Sequence, residues 1–223
     1  MDCDGDLYDI LEVPDAFSEV RFFYATFSPD GEEIAATGTT STVWIWSLDG
    51  ELLEALEISD PEERGTSGLS IAYSPDGRLI AASAEDGAAY VWEVDSGALV
   101  ATLTGHTQRV TRVVFSPDGQ QLLTGGDDTA RLWSLDGTQL AVVNHGARVE
   151  SVAFSPDGQL MLTAGETLRH VWAVADSAGR HSPASCINVY SCTKCRRVAS
   201  CLPPRRQAHR GSGRQTGCAP AFA

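Results

Sequence analysis

The chain has 223 residues, 43% of them hydrophobic, and 30 acidic against 16 basic side chains give a net charge of −14. That supplies enough apolar material for a sizeable core. No apolar run approaches the ~18 residues of a membrane-spanning helix, and the acidic opening MDCDGDLYDI lacks the layout of a secretion signal, so no membrane partner and a cytoplasmic location are expected.

The first predicted element is a strand within 4–12. Its text, DGDLYDILE, parallels DGELLEALE at 49–57, an Asp-Gly turn leading into a strand. Next comes FSPDG at Phe27–Gly31, which returns as YSPDG at Tyr73–Gly77, FSPDG at Phe115–Gly119 and FSPDG at Phe154–Gly158. Proline presets φ for the second residue of a β-turn, Ser or Asp suits the first and Gly the last. Short apolar runs flank every copy, so each is predicted to be a hairpin.

The turns are spaced by 46, 42 and 39 residues, the length of four short strands. A tryptophan follows each aromatic by 19, 19, 18 and 18 residues: Trp46, Trp92, Trp133 and Trp172. It marks a third strand. Asp-Gly or Ser-Gly and a fourth strand follow it in the first three copies. The repeats therefore run over about 21–57, 69–103, 110–143 and 149–174, the last with three strands.

Beyond residue 176 the composition changes. Residues 1–176 hold all 30 acids and eight arginines, a net −22, and no lysine. Residues 177–223 hold seven arginines, Lys194 and no acid, a net +8, together with five of the six cysteines. Three readings of this basic tail stand open: a non-selected or out-of-frame segment that does not fold, a disordered arm for acidic partners, or a small zinc site. The zinc reading uses Cys186, Cys192, Cys195 and Cys201, which contain one C-x2-C pair, with His181 nearby.

The repeated turn, the Trp at fixed offset, the Gly105-His106 pair and the acidic turn Asp127-Asp128 resemble the WD-repeat β-propeller family over roughly residues 4–176. The resemblance implies an all-β fold of four-stranded antiparallel blades, about four of them here, with a non-propeller tail. It implies that an N-terminal strand completes the last blade from outside. Such rings usually have seven blades, so this array is expected to belong to a larger ring or to associate to hide its ends.

The resemblance also assigns side chains. A His, a Ser or Thr, an Asp and the Trp form a buried hydrogen-bonded set in such repeats. That groups His106, Thr124, Asp127 and Trp133, and separately His145, Thr163, Glu166 and Trp172. Asp86 with Trp92, and Trp46, are further members. The third and fourth copies are one residue short between turn and Trp, which leads one to expect imperfect sets there. Arg21, Arg109 and Arg148 recur six residues before the turn aromatic, on the face where such propellers receive partners, and the loop insertion with Glu62, Glu63 and Arg64 lies on that face. An arginine arc there suits a phosphate or an acidic peptide.

No phosphate loop, zinc-protease motif or nucleophile elbow is present, and no cofactor is expected. The expected function is a non-catalytic scaffold that presents loops to protein or peptide partners. Its acidic body disfavours nucleic acid. The alternatives are a propeller enzyme or ligand sensor with a central-channel site, and a regulatory fragment of a larger signalling protein.

Overall fold

The computed structural model describes residues 11–14, 19–58, 66–166 and 169–174. Residues 4–10 of the expected first strand, the Glu62–Arg64 loop and the whole tail with its cysteines lie outside these.

Fifteen strands and no helices make up the described residues. β1 (Phe22–Phe27), β2 (Glu33–Gly38), β3 (Thr42–Ser47) and β4 (Leu52–Glu57) form the first antiparallel sheet. β5 (Gly68–Tyr73), β6 (Leu79–Ala84), β7 (Ala88–Glu93) and β8 (Leu99–Thr104) form the second. β9 (Arg112–Phe115), β10 (Gln121–Gly125), β11 (Thr129–Ser134) and β12 (Gln139–Asn144) form the third. β13 (Ser151–Phe154), β14 (Leu160–Ala164) and β15 (Arg169–Ala173) form a three-stranded fourth. Each is a propeller blade whose strands run in chain order.

The Ser-Pro-Asp-Gly turns explain why one short text recurs. In all four the serine hydroxyl donates to the aspartate Oδ1 at 2.5–2.6 Å and accepts the amide of the residue five positions on at 2.9 Å. The aspartate also accepts the amide two residues beyond it. The closing glycines have φ of 69–77°, a left-handed conformation that side chains disfavour. The serine's hydrogen bond, and then the amide's, hold each aspartate below the ordinary carboxylate range. The turns also nest. A Cβ on Gly77, Gly119 or Gly158 would lie 3.4–3.7 Å from Pro29, Pro75 or Pro117 of the preceding blade.

Strand alternation gives each blade two faces. One carries the tryptophan, as in Phe115↔Leu122↔Trp133. The other carries Leu123 and Leu132. At every seam the tryptophan face of a blade packs on the opposite face of the blade before it. Ala35, Val43 and Ile45 meet Ile80, Ala82 and Trp92. Ala81, Val91 and Leu103 meet Phe115, Leu122 and Trp133. Leu123, Ala130 and Leu132 meet Val152, Met161 and Trp172. The array does not close, because the first and fourth blades share no core cluster among the described residues.

Residues 11–14 form no strand. Leu11 and Val13 pack on Ala36, Trp44 and Trp46 of the first blade, and the Glu12 carbonyl accepts the Trp46 indole N–H at 2.8 Å. The described end of the N-terminal segment thus covers the flank of the first blade.

Candidate functional site

The polar set on the tryptophan face is complete in the third blade. Trp133 Nε1–H donates to Thr124 Oγ1 at 2.9 Å, and Thr124 lies 2.8 Å from His106 Nε2. His106 Nδ1 lies 3.1 Å from Asp127 Oδ1. One tautomer satisfies every member: Nδ1–H donates to the carboxylate and Nε2 accepts the threonine proton. Burial lowers the His106 pKa, an effect that Asp127 opposes in part. Burial works to raise the Asp127 pKa, but the Thr107 amide, the Thr129 hydroxyl, the His106 ring and the Thr107 hydroxyl together pull it far below the ordinary carboxylate range. A neutral imidazole against an ionised, fully solvated-by-protein carboxylate is a clamp between loop and hairpin.

In the fourth blade Trp172 donates to Thr163 Oγ1 at 3.0 Å, and Thr163 bonds His145 Nδ1 at 2.8 Å. Glu166 is exposed, contrary to the place the repeat gives it. The ring set against His145 is that of His170, Nδ1 to Nδ1 at 3.1 Å, and His170 also stands edge-on to Trp172. Glu166 stands three residues after Thr163, as Asp127 does after Thr124, yet the ring beside His145 is that of the histidine two positions before the tryptophan.

The first two blades correct the sequence reading. Their tryptophan faces carry Ala36 and Ala82 where Thr124 and Thr163 stand. Their hydroxyls, Thr37 and Ser83, fall one residue later and so point to the opposite face, where both oxygens are buried without a hydrogen-bond partner. The space over each alanine is filled by an aromatic. Trp44 stacks on Trp46 with centroids 6.5 Å apart, and Tyr90 stacks on Trp92 at 5.9 Å. Trp46 therefore bonds to the Glu12 carbonyl rather than to a hydroxyl. Asp86 meets no histidine; it accepts the Ala88 amide at 2.8 Å and the Tyr90 hydroxyl at 2.7 Å. The extra residue between turn and tryptophan in these two copies, not the shorter spacing of the later ones, goes with loss of the polar set.

The arginines lie at the end of the blades away from the Ser-Pro-Asp-Gly turns. Arg21, Arg109 and Arg148 are exposed. Their backbones occupy matched places. A Cβ on Gly38, Gly126 or Gly165 would come within 2.1, 2.9 or 2.4 Å of the carbonyl oxygens of Arg21, Arg109 and Arg148 respectively. Arg148 pairs with Glu150 at 3.2 Å, with both side chains about 40% exposed. At the turn end, a cavity of about 390 Å³ is lined by Tyr24, Ile71, Arg112, Val113, Phe115 and Phe154 among others. Among the described residues Arg112 is the only charged one of that lining, and it lies over the Tyr24 ring and donates to its hydroxyl. Sequence reasoning missed this link between the first and third blades, since nothing local marks Arg112. Among the described residues no group of three or more His, Cys, Asp or Glu side chains could hold a metal.

Comparison with known proteins adds a family to this geometry. The WD40 family (WD domain, G-beta repeat) matches residues 64–93, 97–134 and 137–167, a little under half of the chain. The meiotic recombination protein rec14 of Schizosaccharomyces pombe is 35% identical over 100 residues, 45% of this chain and 32% of its own. The B-type cell cycle switch protein ccs52B of Medicago truncatula is 56% identical over 39 residues, 17% of this chain and 8% of its own. The anaphase-promoting complex subunit cdh1 of Dictyostelium discoideum is 57% identical over 37 residues, 16% of this chain and 5% of its own. The matched stretches thus span no more than a third of these relatives' lengths. The first blade lies outside the matched segments yet repeats their register. Residues 64–93, 97–134 and 137–167 are thus similar to WD40 repeats, and they fall within successive blades of an open propeller.

Proposed function

We propose that the chain is a non-catalytic protein-interaction module that receives acidic or phosphorylated peptide segments on its arginine-bearing end. The observation that carries this reading is the matched exposure of Arg21, Arg109 and Arg148 on three blades of one array, in a chain whose net charge is −14. Loops set on a rigid scaffold commonly carry recognition. Among the matched proteins, one is by its name a subunit of an assembly, which favours an adaptor role. An enzyme or sensor working in that cavity has less support, because among the described residues its lining offers one guanidinium and no carboxylate or imidazole.

The test is fluorescence anisotropy with a labelled poly-glutamate peptide and a phosphoserine peptide, against the chain and its Arg21→Gln/Arg109→Gln/Arg148→Gln variant. Three exposed ion pairs at about 0.5 kcal/mol each predict about tenfold weaker binding for the variant. Binding that is absent from the parent chain, or unchanged in the variant, refutes the assignment.

A further inference from the structure

Three residues before each turn aromatic, the first strands of the four blades carry Tyr24, Ser70, Arg112 and Ser151. On the third blade that residue is charged and half-buried. Its surroundings do not match its charge. Among the described residues Arg112 forms no ion pair, although the chain holds 30 acidic side chains. Its guanidinium lies 4.4 Å from the Tyr24 ring centroid and donates from Nη2 to the Tyr24 hydroxyl. The Nε–H is buried and meets no acceptor. Since a guanidinium has several N–H donors, most of this one's capacity is unspent.

The cavity of about 390 Å³ that Arg112 lines has the size of a small-molecule site. The residues just ahead of the turn aromatics, Thr26, Ala72 and Val114, line it too, and their small side chains leave the space open. Every hydroxyl of the lining already has a partner among the described residues. Tyr24 has Arg112, Thr26 the Phe27 carbonyl, Tyr73 the Glu33 carboxylate, and Ser74 and Ser116 the aspartates of their own turns. What is left is one cation with spare donors beside apolar walls. A small hydrated anion gains nothing from such walls, and a neutral apolar molecule leaves the guanidinium unpaired.

We propose that this cavity binds an apolar carboxylate, its carboxyl group paired with the Arg112 guanidinium and its apolar body against Ala72 and Val114. A free aromatic acid and the last residue of a peptide chain both offer that chemistry. The site binds without catalysing, since its lining holds no group to take up or release a proton. It makes no use of Arg21, Arg109 or Arg148, so it stands or falls apart from peptide capture by those residues.

Saturation-transfer NMR on the full chain reads the outcome, with phenylacetate against phenylacetamide, and with a Gly-Gly-Phe peptide whose C-terminus is free or amidated. At least one acid is expected to bind in the millimolar range or tighter, and its amide about tenfold more weakly. The acid that binds more tightly identifies the source of the carboxylate. Arg112→Met keeps the stem and removes the charge, with a loss of about tenfold expected again. Tyr24→Phe breaks the same hydrogen bond between the first and third blades but keeps the cation, so it should bind at least as tightly as the parent chain. Ala72→Leu fills part of the cavity and should weaken binding, whereas the Arg21→Gln/Arg109→Gln/Arg148→Gln variant should bind as the parent does. No binding of either acid, equal binding of acid and amide, binding unchanged in Arg112→Met or Ala72→Leu, or binding lost in Tyr24→Phe or the triple variant would each overturn the proposal.

Discussion

Thr124→Val isolates the polar set of the third blade. The substitution is nearly isosteric at a site with 0% exposure, so it leaves packing intact and removes one hydroxyl. That hydroxyl accepts from Trp133 Nε1 and bonds His106 Nε2, and both would be left buried without a partner. At about 1–3 kcal/mol for each orphaned group, the loss comes to about 3 kcal/mol. With a urea slope of about 2 kcal/mol/M for a chain of this size, the unfolding midpoint should fall by about 1.5 M. Thr124→Ser is the control. It keeps the hydroxyl and deletes a methyl group, at a cost of about 1 kcal/mol, or about 0.5 M. Urea unfolding followed by tryptophan fluorescence measures both. If valine is tolerated as well as serine, the hydrogen bonds through Thr124 do not hold the blade together, and the argument fails.

The remaining predictions concern pH, seams and the N-terminal segment. His106 has a lowered folded-state pKa, so its contribution is present above its ordinary 6.5 and is lost as pH falls below that value; chemical denaturation between pH 7.5 and 5 should show a decline that His106→Gln removes. The turn aspartates Asp30, Asp76, Asp118 and Asp157 have lowered pKa values too, so a second decline should begin as pH drops below about 3.8, and Asp118→Asn should flatten it in part. Gly125→Ala places a Cβ 2.6 Å from Val149 Cγ1 and 2.8 Å from Val152 Cγ1 at the seam between third and fourth blades, which should cost about 1–3 kcal/mol of stability in urea, whereas Gly146→Ala meets open space and should cost about 1 kcal/mol through its backbone alone. Trp46→Phe removes the hydrogen bond to the Glu12 carbonyl while keeping the stack on Trp44; limited proteolysis ahead of residue 19 should quicken, with a stability loss of about 1 kcal/mol, and an unchanged cleavage rate would show that this bond does not hold the segment.

Much of the architecture was local enough to read from the chain. Ser-Pro-Asp-Gly closes its own hydrogen bonds within six residues, so its text alone predicts a turn, and the spacing of turn and tryptophan predicts four units. The choice of hydroxyls Thr124 and Thr163 was legible for the same reason, since each stands nine residues after its turn aromatic. Ala36 and Ala82 stand at the same offset in the first two copies, and Thr37 and Ser83, one residue later, take the other face because successive residues of a strand alternate sides. What the chain text could not settle was what covers those alanines: the added residue falls after them, between the second and third strands, and Trp44 and Tyr90 stack on Trp46 and Trp92 there. Asp86 and Glu166 looked like members of a polar set by position, yet which groups meet depends on the ring the neighbouring strand delivers: Tyr90 donates to Asp86, and His170 stands beside His145 while Glu166 is exposed. The register of Leu11 and Val13 was written in the sequence, but their seat on Trp44 and Trp46 was not, because contacts between blades join residues that local periodicity does not connect. Sequence determined the repeating unit, whose bonds are short-range; tertiary structure decided which faces meet, since that depends on how whole sheets stack.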